Sequence, residues 1–221
     1  PMNCEYVLSV EVDDDLVEIL TERYEHIDNL EILHADVLEL DLAEILNNKK
    51  INKIVGALPY NISKRIIEKL LSVDTKQIQV AGLVLQKEVA HDYAGVGNKN
   101  SFLHALYSAI YEIKIVEDIE KSVFNPVPKV DSSSIIFTRK NSADFSVAAK
   151  DFSKYAKFLK NAFRNPRKKL IKNLKSIFKE TDWDKVYQNI GFEENIRVEQ
   201  LTNHQLVALF HEFTEAQNNP N

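Results

Sequence analysis

The sequence predicts an α/β fold followed by a small all-helical region, and three observations lead to that prediction. Strand-like and helix-like segments alternate through the first part of the 221 residues, as expected for a mostly parallel sheet covered by helices. The composition changes near residues 141–146, and no strand pattern follows. The remaining segments have helical spacing. We therefore expect one domain over residues 1–145 and a helical one over residues 146–221.

The first elements are predicted to be a strand, a helix and a second strand. Residues 7–12 are rich in apolar strand formers and end at the acidic run 13–15. Apolar residues at helical spacing follow, with Asp13 or Asp14 as a suitable N-cap. A short second strand is expected at residues 30–33.

The alternation continues through the middle of the chain. Helices are predicted at residues 42–46, 62–71 and 102–111. Strands are predicted at residues 51–55, 80–85, 113–116 and 133–138. Because residues 80–85 are continuously apolar, we expect that strand to be buried on both faces.

Four amphipathic helices are predicted in the C-terminal region, at residues 155–163, 168–178, 183–190 and 202–213. Thr202 and Gln205 have the spacing of a capping box, which places the start of the last helix. Residues 150–179 carry 11 Lys and Arg against one acid, Asp151, although the whole chain has a net charge of −5. This asymmetry indicates either a local site for a polyanion or a solvated basic helical face.

Composition excludes several classes of protein. The single cysteine, Cys4, excludes an internal disulfide and a cysteine metal cluster. The six histidines lack ligand spacing, so no metal is expected. No run of 18 apolar residues occurs, so no membrane span is predicted. We expect a monomer in a reducing, cytoplasmic compartment.

Residues 58–63, with the sequence Leu-Pro-Tyr-Asn-Ile-Ser, directly follow a predicted strand. Open α/β sheets bind ligands at the carboxyl ends of their strands. Pro59 fixes the turn and leaves its carbonyl oxygen as an acceptor, while the ring of Tyr60 offers a face on which a base can stack. For this motif alone, a strand-to-helix turn with a packed tyrosine is the simpler explanation.

Residues 124–132, with the sequence Phe-Asn-Pro-Val-Pro-Lys-Val-Asp-Ser, form a second motif. Two prolines at this spacing favour a rigid extended loop. Such a loop would hold Phe124 in a fixed orientation, as is needed to stack on a base extruded from its helix. A structural connection with a core phenylalanine is the alternative.

The combination of motifs resembles the KsgA-type ribosomal RNA adenine dimethyltransferases, which are relatives of the erythromycin-resistance methylases. The resemblance covers nearly the whole chain in the family's order, in residues 9–20, 34–38, 58–63, 85–90, 124–132 and 163–174. It implies a Rossmann-like class I methyltransferase sheet, S-adenosylmethionine as cofactor, and the small ribosomal subunit and its RNA as partners.

The resemblance also implies roles for residues that would bind the cofactor. Glu11 would bind the ribose hydroxyls of S-adenosylmethionine, and Asp36 would accept a hydrogen bond from its adenine amino group. Val12, Val37 and Ala57 belong to the same implied site.

Roles in catalysis and RNA binding follow from the same resemblance. Tyr60 and Phe124 would stack on the flipped adenine, and the carbonyl of Pro59, next to Leu58, would accept from its N6 amino group. The residues implied to contact RNA are Lys87, Lys129, Arg164, Arg167, Lys168, Lys169 and Lys172.

The sequence departs from the family pattern in three places. The family's catalytic motif begins with Asn, where this chain has Ala57, whose side chain cannot accept a hydrogen bond. Residues 97–101 lack the Tyr-Gly-Arg often found there. No Gly-x-Gly occurs, and the chain starts just before the family's second strand. We therefore expect the first strand–helix unit to be missing and the sequence to be a fragment of a longer chain.

Three functions remain as hypotheses. The leading one is transfer of two methyl groups to N6 of each of two adjacent adenines near the 3′ end of small-subunit ribosomal RNA. The second, motivated by Ala57 and the missing glycine-rich loop, is a non-catalytic RNA-binding or ribosome-assembly factor. The third is a resistance methylase acting on large-subunit RNA, which residues 124–132 and the basic helix disfavour.

Overall fold

A computed structural model describes residues 4–72, 77–97, 99–141, 146–179 and 181–218. The chain divides into two compact units, Pro1–Leu83 and Val84–Asn221. The C-terminal helices therefore belong to the same unit as the segment that follows Leu83. The predicted boundary after residue 145 falls next to residues that lie outside the described ranges, and it stays a prediction.

The first unit opens with a two-stranded parallel sheet. Strands β1 (Val7–Glu11) and β2 (Leu30–His34) pair in a register that sets Glu11 beside His34. Helix α1 (Asp14–Tyr24) connects them, and the carboxylate of its N-cap, Asp13, accepts from the backbone N–H of Leu16 at 3.0 Å. The predicted strand, cap and helix are confirmed here.

The rest of the first unit contains α2 (Leu42–Lys49), β3 (Lys53–Ala57) and α3 (Ser63–Leu70), and it ends within β4 (Val80–Gln86). Strand β3 lies two residues later than predicted, so Ala57 is its last residue. It lies at the edge of its sheet, next to β4. The buried residues of α2 and α3 supply much of the core here, with Leu42, Leu46, Ile66, Ile67 and Leu70.

In the second unit, β4 continues and is followed across the sheet by β6 (Ser132–Arg139) and β5 (Tyr111–Ile119). Strands β5 and β6 are antiparallel neighbours, and an antiparallel strand at one edge is compatible with a sheet predicted to be mostly parallel. The loop between them contains only a short 3₁₀ turn, which is typical of an antiparallel connection, since a parallel crossover usually contains an α-helix. Helix α4 (Lys87–Ala94) packs on both strands.

Two predictions for this sheet were wrong in detail. Helix α5 (Phe102–Tyr107) is shorter than the predicted 102–111, because Tyr111 instead pairs with Arg139 at the start of β5. Strand β4 has one fully buried face, while the other face is only partly buried. Its continuous apolarity therefore overstated its burial.

The C-terminal helices are α6 (Phe152–Ala162), α7 (Leu170–Leu174), α8 (Trp183–Ile190) and α9 (Asn203–Asn218). They enclose an aromatic core in which the centroids of Tyr155 and Phe210 lie 5.2 Å apart. Helix α7 is shorter than the predicted 168–178, since Lys169 forms a β-bridge with Arg197. The capping box is confirmed: the Thr202 N–H donates to Gln205 Oε1 at 3.0 Å, and the Gln205 N–H donates to Thr202 Oγ1 at 3.2 Å.

The loop at residues 97–101 is bound to the segment that precedes α9. Asn100 donates its backbone N–H to the carbonyl of Glu199 at 2.7 Å and its side-chain amide to the carbonyl of Leu201 at 3.0 Å. Lys99 forms an ion pair with Glu199 at 2.7 Å. This loop is therefore a structural link between α4–α5 and the C-terminal helices. None of the described helices combines the length and apolar composition that a membrane crossing needs.

Candidate functional site

Glu11 and Asp36 lie at one edge of the first unit, where β1 and β2 reach their carboxyl ends. The parallel pairing brings the ends together, and the N–H of Ala35 donates to the carbonyl of Glu11 at 2.9 Å. Glu11 Oε1 accepts from the N–H groups of Val12 and Asp13 at 2.8 and 3.0 Å. These bonds fix the carboxylate in place, and the other oxygen accepts no hydrogen bond from the described residues.

Asp36 is held in a similar way just after β2. Its Oδ1 accepts from the N–H of Leu38 at 2.8 Å, so this carboxylate also closes a local turn. Val12 is 62% exposed, and Val37 is partly buried. Together these residues form an edge with two oriented carboxylates and an exposed apolar side chain. That combination suits a ligand with hydroxyl or amino donors beside an apolar ring.

Residues 57–63 form a turn between β3 and α3. The carbonyl of Pro59 accepts from the N–H of Ile62 at 3.2 Å, and the carbonyl of Tyr60 accepts from the hydroxyl of Ser63 at 3.3 Å. Ser63 is buried, which anchors the turn to the core. A carbonyl oxygen has two lone pairs, so that of Pro59 keeps acceptor capacity beyond the turn.

The side chains of this turn differ in exposure. Pro59 and Ala57 are exposed, whereas Tyr60 and Leu58 are partly buried. Tyr60 is therefore not fully buried, and its role in stacking stays a prediction. Ala57 presents only a methyl group at the end of β3.

Phe124 lies in the second unit, on the loop that joins β5 to β6. It follows a short 3₁₀ turn, Lys121–Val123, and its side chain is partly buried. The peptide bond between Asn125 and Pro126 is cis. Valines on either side of the phenylalanine are strongly exposed, at 69% for Val123 and 61% for Val127. The loop therefore lies on the surface and is not a buried connection.

One carboxylate that the sequence motifs did not predict lies on β5, the strand that leads into this loop. Asp118, on β5, receives Lys87 Nζ at 2.7 Å, His91 Nε2 at 3.1 Å and the hydroxyl of Ser133 at 2.6 Å. Hydrogen bonding from Lys87, then from Ser133 and His91, holds the pKa of Asp118 well below its usual range. The hydrogen bond to Asp118 also raises the pKa of Lys87. Nothing in the acidic end of β5 distinguishes Asp118 from its neighbour Glu117, so no local pattern could have identified it.

The predicted RNA-contacting residues fall into two groups. Lys87 is paired with Asp118, and Lys169 lies 3.6 Å from Glu194. The others are exposed and form no ion pair with the described part of the chain, namely Lys129, Arg164, Arg167, Lys168 and Lys172. Four of these five lie between α6 and the end of α7. The exposed group is therefore the better candidate for contact with a polyanion.

The described residues contain no group of three or more His, Cys, Asp or Glu side chains that could hold a metal ion.

Comparison with known proteins places this geometry in context. The family described as ribosomal RNA adenine dimethylase matches residues 3–215. A "Ribosomal RNA small subunit methyltransferase A" of Natranaerobius thermophilus is 31% identical over 226 residues, covering 92% of this chain and 74% of its own length. A protein of the same name from Malacoplasma penetrans is 36% identical over 195 residues, covering 87% and 68%.

Solved structures show the same fold. The 23S rRNA methyltransferase ErmE matches with a TM-score of 0.74 and 23% identity, covering 95% of this chain and 82% of its own. A dimethyladenosine transferase from Plasmodium falciparum matches with a TM-score of 0.78 and 21% identity, covering 96% and 83%. The predicted Rossmann-like methyltransferase sheet with a helical C-terminal part is thereby confirmed.

Proposed function

The chain belongs to the ribosomal RNA adenine dimethylase family, a class of methyltransferase enzymes, and on that premise we propose that it uses S-adenosylmethionine to dimethylate adenine N6. The substrate we propose is the pair of adjacent adenines near the 3′ end of small-subunit ribosomal RNA. The observation that carries the proposal is Tyr60, held on a hydrogen-bonded turn directly after β3 with its ring partly exposed. The names of the curated relatives support the small subunit over the large.

The edge formed by β1 and β2 has the chemistry that S-adenosylmethionine requires. Glu11 would accept from the ribose hydroxyls with the oxygen that its own turn does not use, and Asp36 would accept from the adenine amino group. Val12 offers exposed apolar surface for the adenine ring. When bound, the cofactor supplies an electrophilic methyl group.

The chain's own residues would orient the target adenine. Tyr60 and Phe124 would stack on the flipped base, each such contact contributing roughly 1–3 kcal/mol. Pro59 would accept one N6 hydrogen through the lone pair left after its bond to Ile62, and so direct the nitrogen lone pair towards the methyl group. Methyl transfer from a sulfonium needs little acid–base help, so this alignment supplies most of the rate gain.

Ala57 removes one contact from this arrangement. The family's asparagine would accept a second N6 hydrogen, and a methyl side chain cannot. Since losing one preorganised polar contact can lower a rate by roughly 10²–10³, we expect slow catalysis. This residue also favours a second candidate function, an RNA-binding assembly factor with the same fold.

RNA would be held by the exposed cations between α6 and the end of α7. Phosphate contacts of this kind fix the register of the protein on its RNA and make affinity depend on salt.

The test is methylation of unmethylated small ribosomal subunits with radiolabelled S-adenosylmethionine, using the full-length protein and Ala57→Asn. We expect slow incorporation by the native protein and faster incorporation by Ala57→Asn, with Tyr60→Ala as the inactive control. Calorimetry with S-adenosylmethionine separates the two functions. Cofactor binding supports the enzyme, whereas salt-dependent subunit binding without it, and no incorporation even by Ala57→Asn, supports the assembly factor.

A further inference from the structure

The loop that carries Phe124 is fixed mainly at its two ends. It spans residues 120–131, and its flanking residues Ile119 and Ser132 are paired in the β5–β6 register. Most of its side chains are exposed, including Val123 and Val127. Phe124 is itself partly buried, but most of the loop has little packing to hold it, so hydrogen bonds at the neck of the loop contribute to the placement of the Phe124 backbone.

Asp131 lies at the start of a hydrogen-bonded path that reaches Phe124. Its Oδ1 accepts from the backbone N–H of Lys121 at 3.1 Å, which closes the neck of the loop. The carbonyl of Lys121 in turn accepts from the N–H of Phe124 at 3.2 Å. The carboxylate thus holds the 3₁₀ turn that immediately precedes the aromatic residue.

Asp131 is itself anchored by a second contact, through its backbone carbonyl. The carbonyl of Asp131 accepts from the N–H of Lys87, the first residue of α4, at 3.0 Å. Lys87 is fixed in turn by its ion pair with Asp118, which also accepts from the hydroxyl of Ser133, the second residue of β6. Asp131 is therefore set against α4 through its backbone, while its side chain holds the turn.

We propose that Asp131 is a positioning residue, which directs Phe124 onto the target adenine by holding the backbone of Lys121. This inference rests on the proposed function, in which Phe124 stacks on the base. Asp131 acts through the neck of the loop, by its hydrogen bond to the N–H of Lys121.

The activity test compares Asp131→Ala, which removes the acceptor, with Asp131→Asn, whose amide oxygen retains it. Because a misplacement of about 1 Å can cost about 10² in rate, we expect Asp131→Ala to lower kcat about 10- to 100-fold and leave the KM for S-adenosylmethionine unchanged. Asp131→Asn should restore most of kcat. The carboxylate of Glu117 lies on the same hairpin and forms no hydrogen bond with the described residues. Glu117→Ala is therefore the matched control and should behave as the native protein. Equal loss in Asp131→Ala and Asp131→Asn would overturn the proposal.

A second variant removes the donor and leaves Asp131 intact. Lys121 is the first residue of a 3₁₀ turn, and Glu120 before it is extended, with φ −64° and ψ 139°, a conformation compatible with a following proline. Lys121→Pro should therefore fold, and it should reproduce the loss of kcat seen in Asp131→Ala. The double variant should lose no more kcat than either single variant, because both changes remove the same hydrogen bond. Additive losses of kcat would contradict this. Lys121→Pro also keeps the test valid should Asp131→Ala not fold.

Amide hydrogen exchange separates this inference from the proposed function. We expect faster exchange across residues 121–124 in Asp131→Ala than in the native protein, Asp131→Asn or Glu117→Ala. Should the native protein and Ala57→Asn methylate nothing, the proposed function fails, and exchange still shows whether Asp131 holds the loop. Unchanged exchange in Asp131→Ala would overturn the inference, whatever the activity.

Discussion

Carboxylates organise both compact units of this protein, but they do so over different distances along the chain. In the first unit, Glu11 and Asp36 bind backbone N–H groups one or two residues away. In the second, Asp118 binds side chains 15 and 27 residues away, and Asp131 reaches back 10 residues.

The difference separates two kinds of site. A carboxylate that closes its own turn is oriented as soon as the strand before it forms, and one of its oxygens stays available to a ligand. A carboxylate that joins distant elements has its oxygens engaged in those contacts, so its role is to fix the geometry of other groups. We therefore expect substitutions in the first unit to affect ligand affinity and those in the second to affect stability and alignment.

The largest effect is expected for Glu11→Gln. The amide oxygen still accepts from the two turn N–H groups, so the fold should persist. A hydrogen bond to a charged group contributes about 1.5–3 kcal/mol, so the Kd for S-adenosylmethionine should rise roughly 10- to 100-fold. Calorimetry measures it, with the exposed Glu18→Gln as control. An unchanged Kd would remove Glu11 from the cofactor site.

Asp118→Asn should reduce stability in a pH-dependent manner. The folded-state pKa of Asp118 is depressed, so its contribution is present above the unfolded pKa of about 3.9 and is lost as pH falls through the lower folded value. Native protein should therefore be more stable than Asp118→Asn at pH 7, with the difference shrinking progressively below about pH 4. Urea unfolding at several pH values measures this, with Glu117→Gln on the same strand as the matched substitution. A difference that is constant with pH would contradict the assignment.

Thr202→Ala tests a local contact within the second unit. It breaks one bond of the capping box at the start of α9 and should cost about 1 kcal/mol of unfolding free energy. Thr202→Ser retains the hydroxyl and should restore most of it. Thermal unfolding at one pH is sufficient, and equal stability of the alanine and serine variants would show that the cap contributes little.

The smallest effect is expected for single cations. Arg167→Ala should reduce the salt dependence of small-subunit binding by about one in the slope of log K against log salt. Lys169→Ala should change it less, because Lys169 already faces Glu194. Binding measured at several salt concentrations compares the two. Equal slopes for both variants would show that the ion pair with Glu194 does not prevent Lys169 from contacting RNA.

The features that were predicted correctly depend on neighbouring residues. The Asp13 cap, the strand before it and the Thr202–Gln205 box each involve residues within a few positions of one another, so composition and spacing reveal them. Helix α8 was predicted at its observed bounds, Trp183–Ile190, and its two caps, Asp182 and Gly191, are also local to it.

The features that were missed depend on contacts between distant segments. Tyr111 was predicted to be helical but pairs with Arg139 in the sheet. Lys169 was also predicted to be helical but forms a β-bridge with Arg197. In each case pairing across the fold prevailed over local helical preference. The roles of Asp118 and Asp131 have the same origin, since no local pattern marks an acid whose partners lie on other elements.

The link formed by Asn100 bears on protein engineering. Asn100 donates to Leu201 and Asn203, and Asn203 donates to Ser108 at 2.6 Å. If residues 146–221 of this chain were grafted onto a relative, the graft would contain Leu201 and Asn203 but not their partners Asn100 and Ser108. The residues of this chain at positions 99, 100 and 108 should therefore be grafted with them, so that these hydrogen bonds can form.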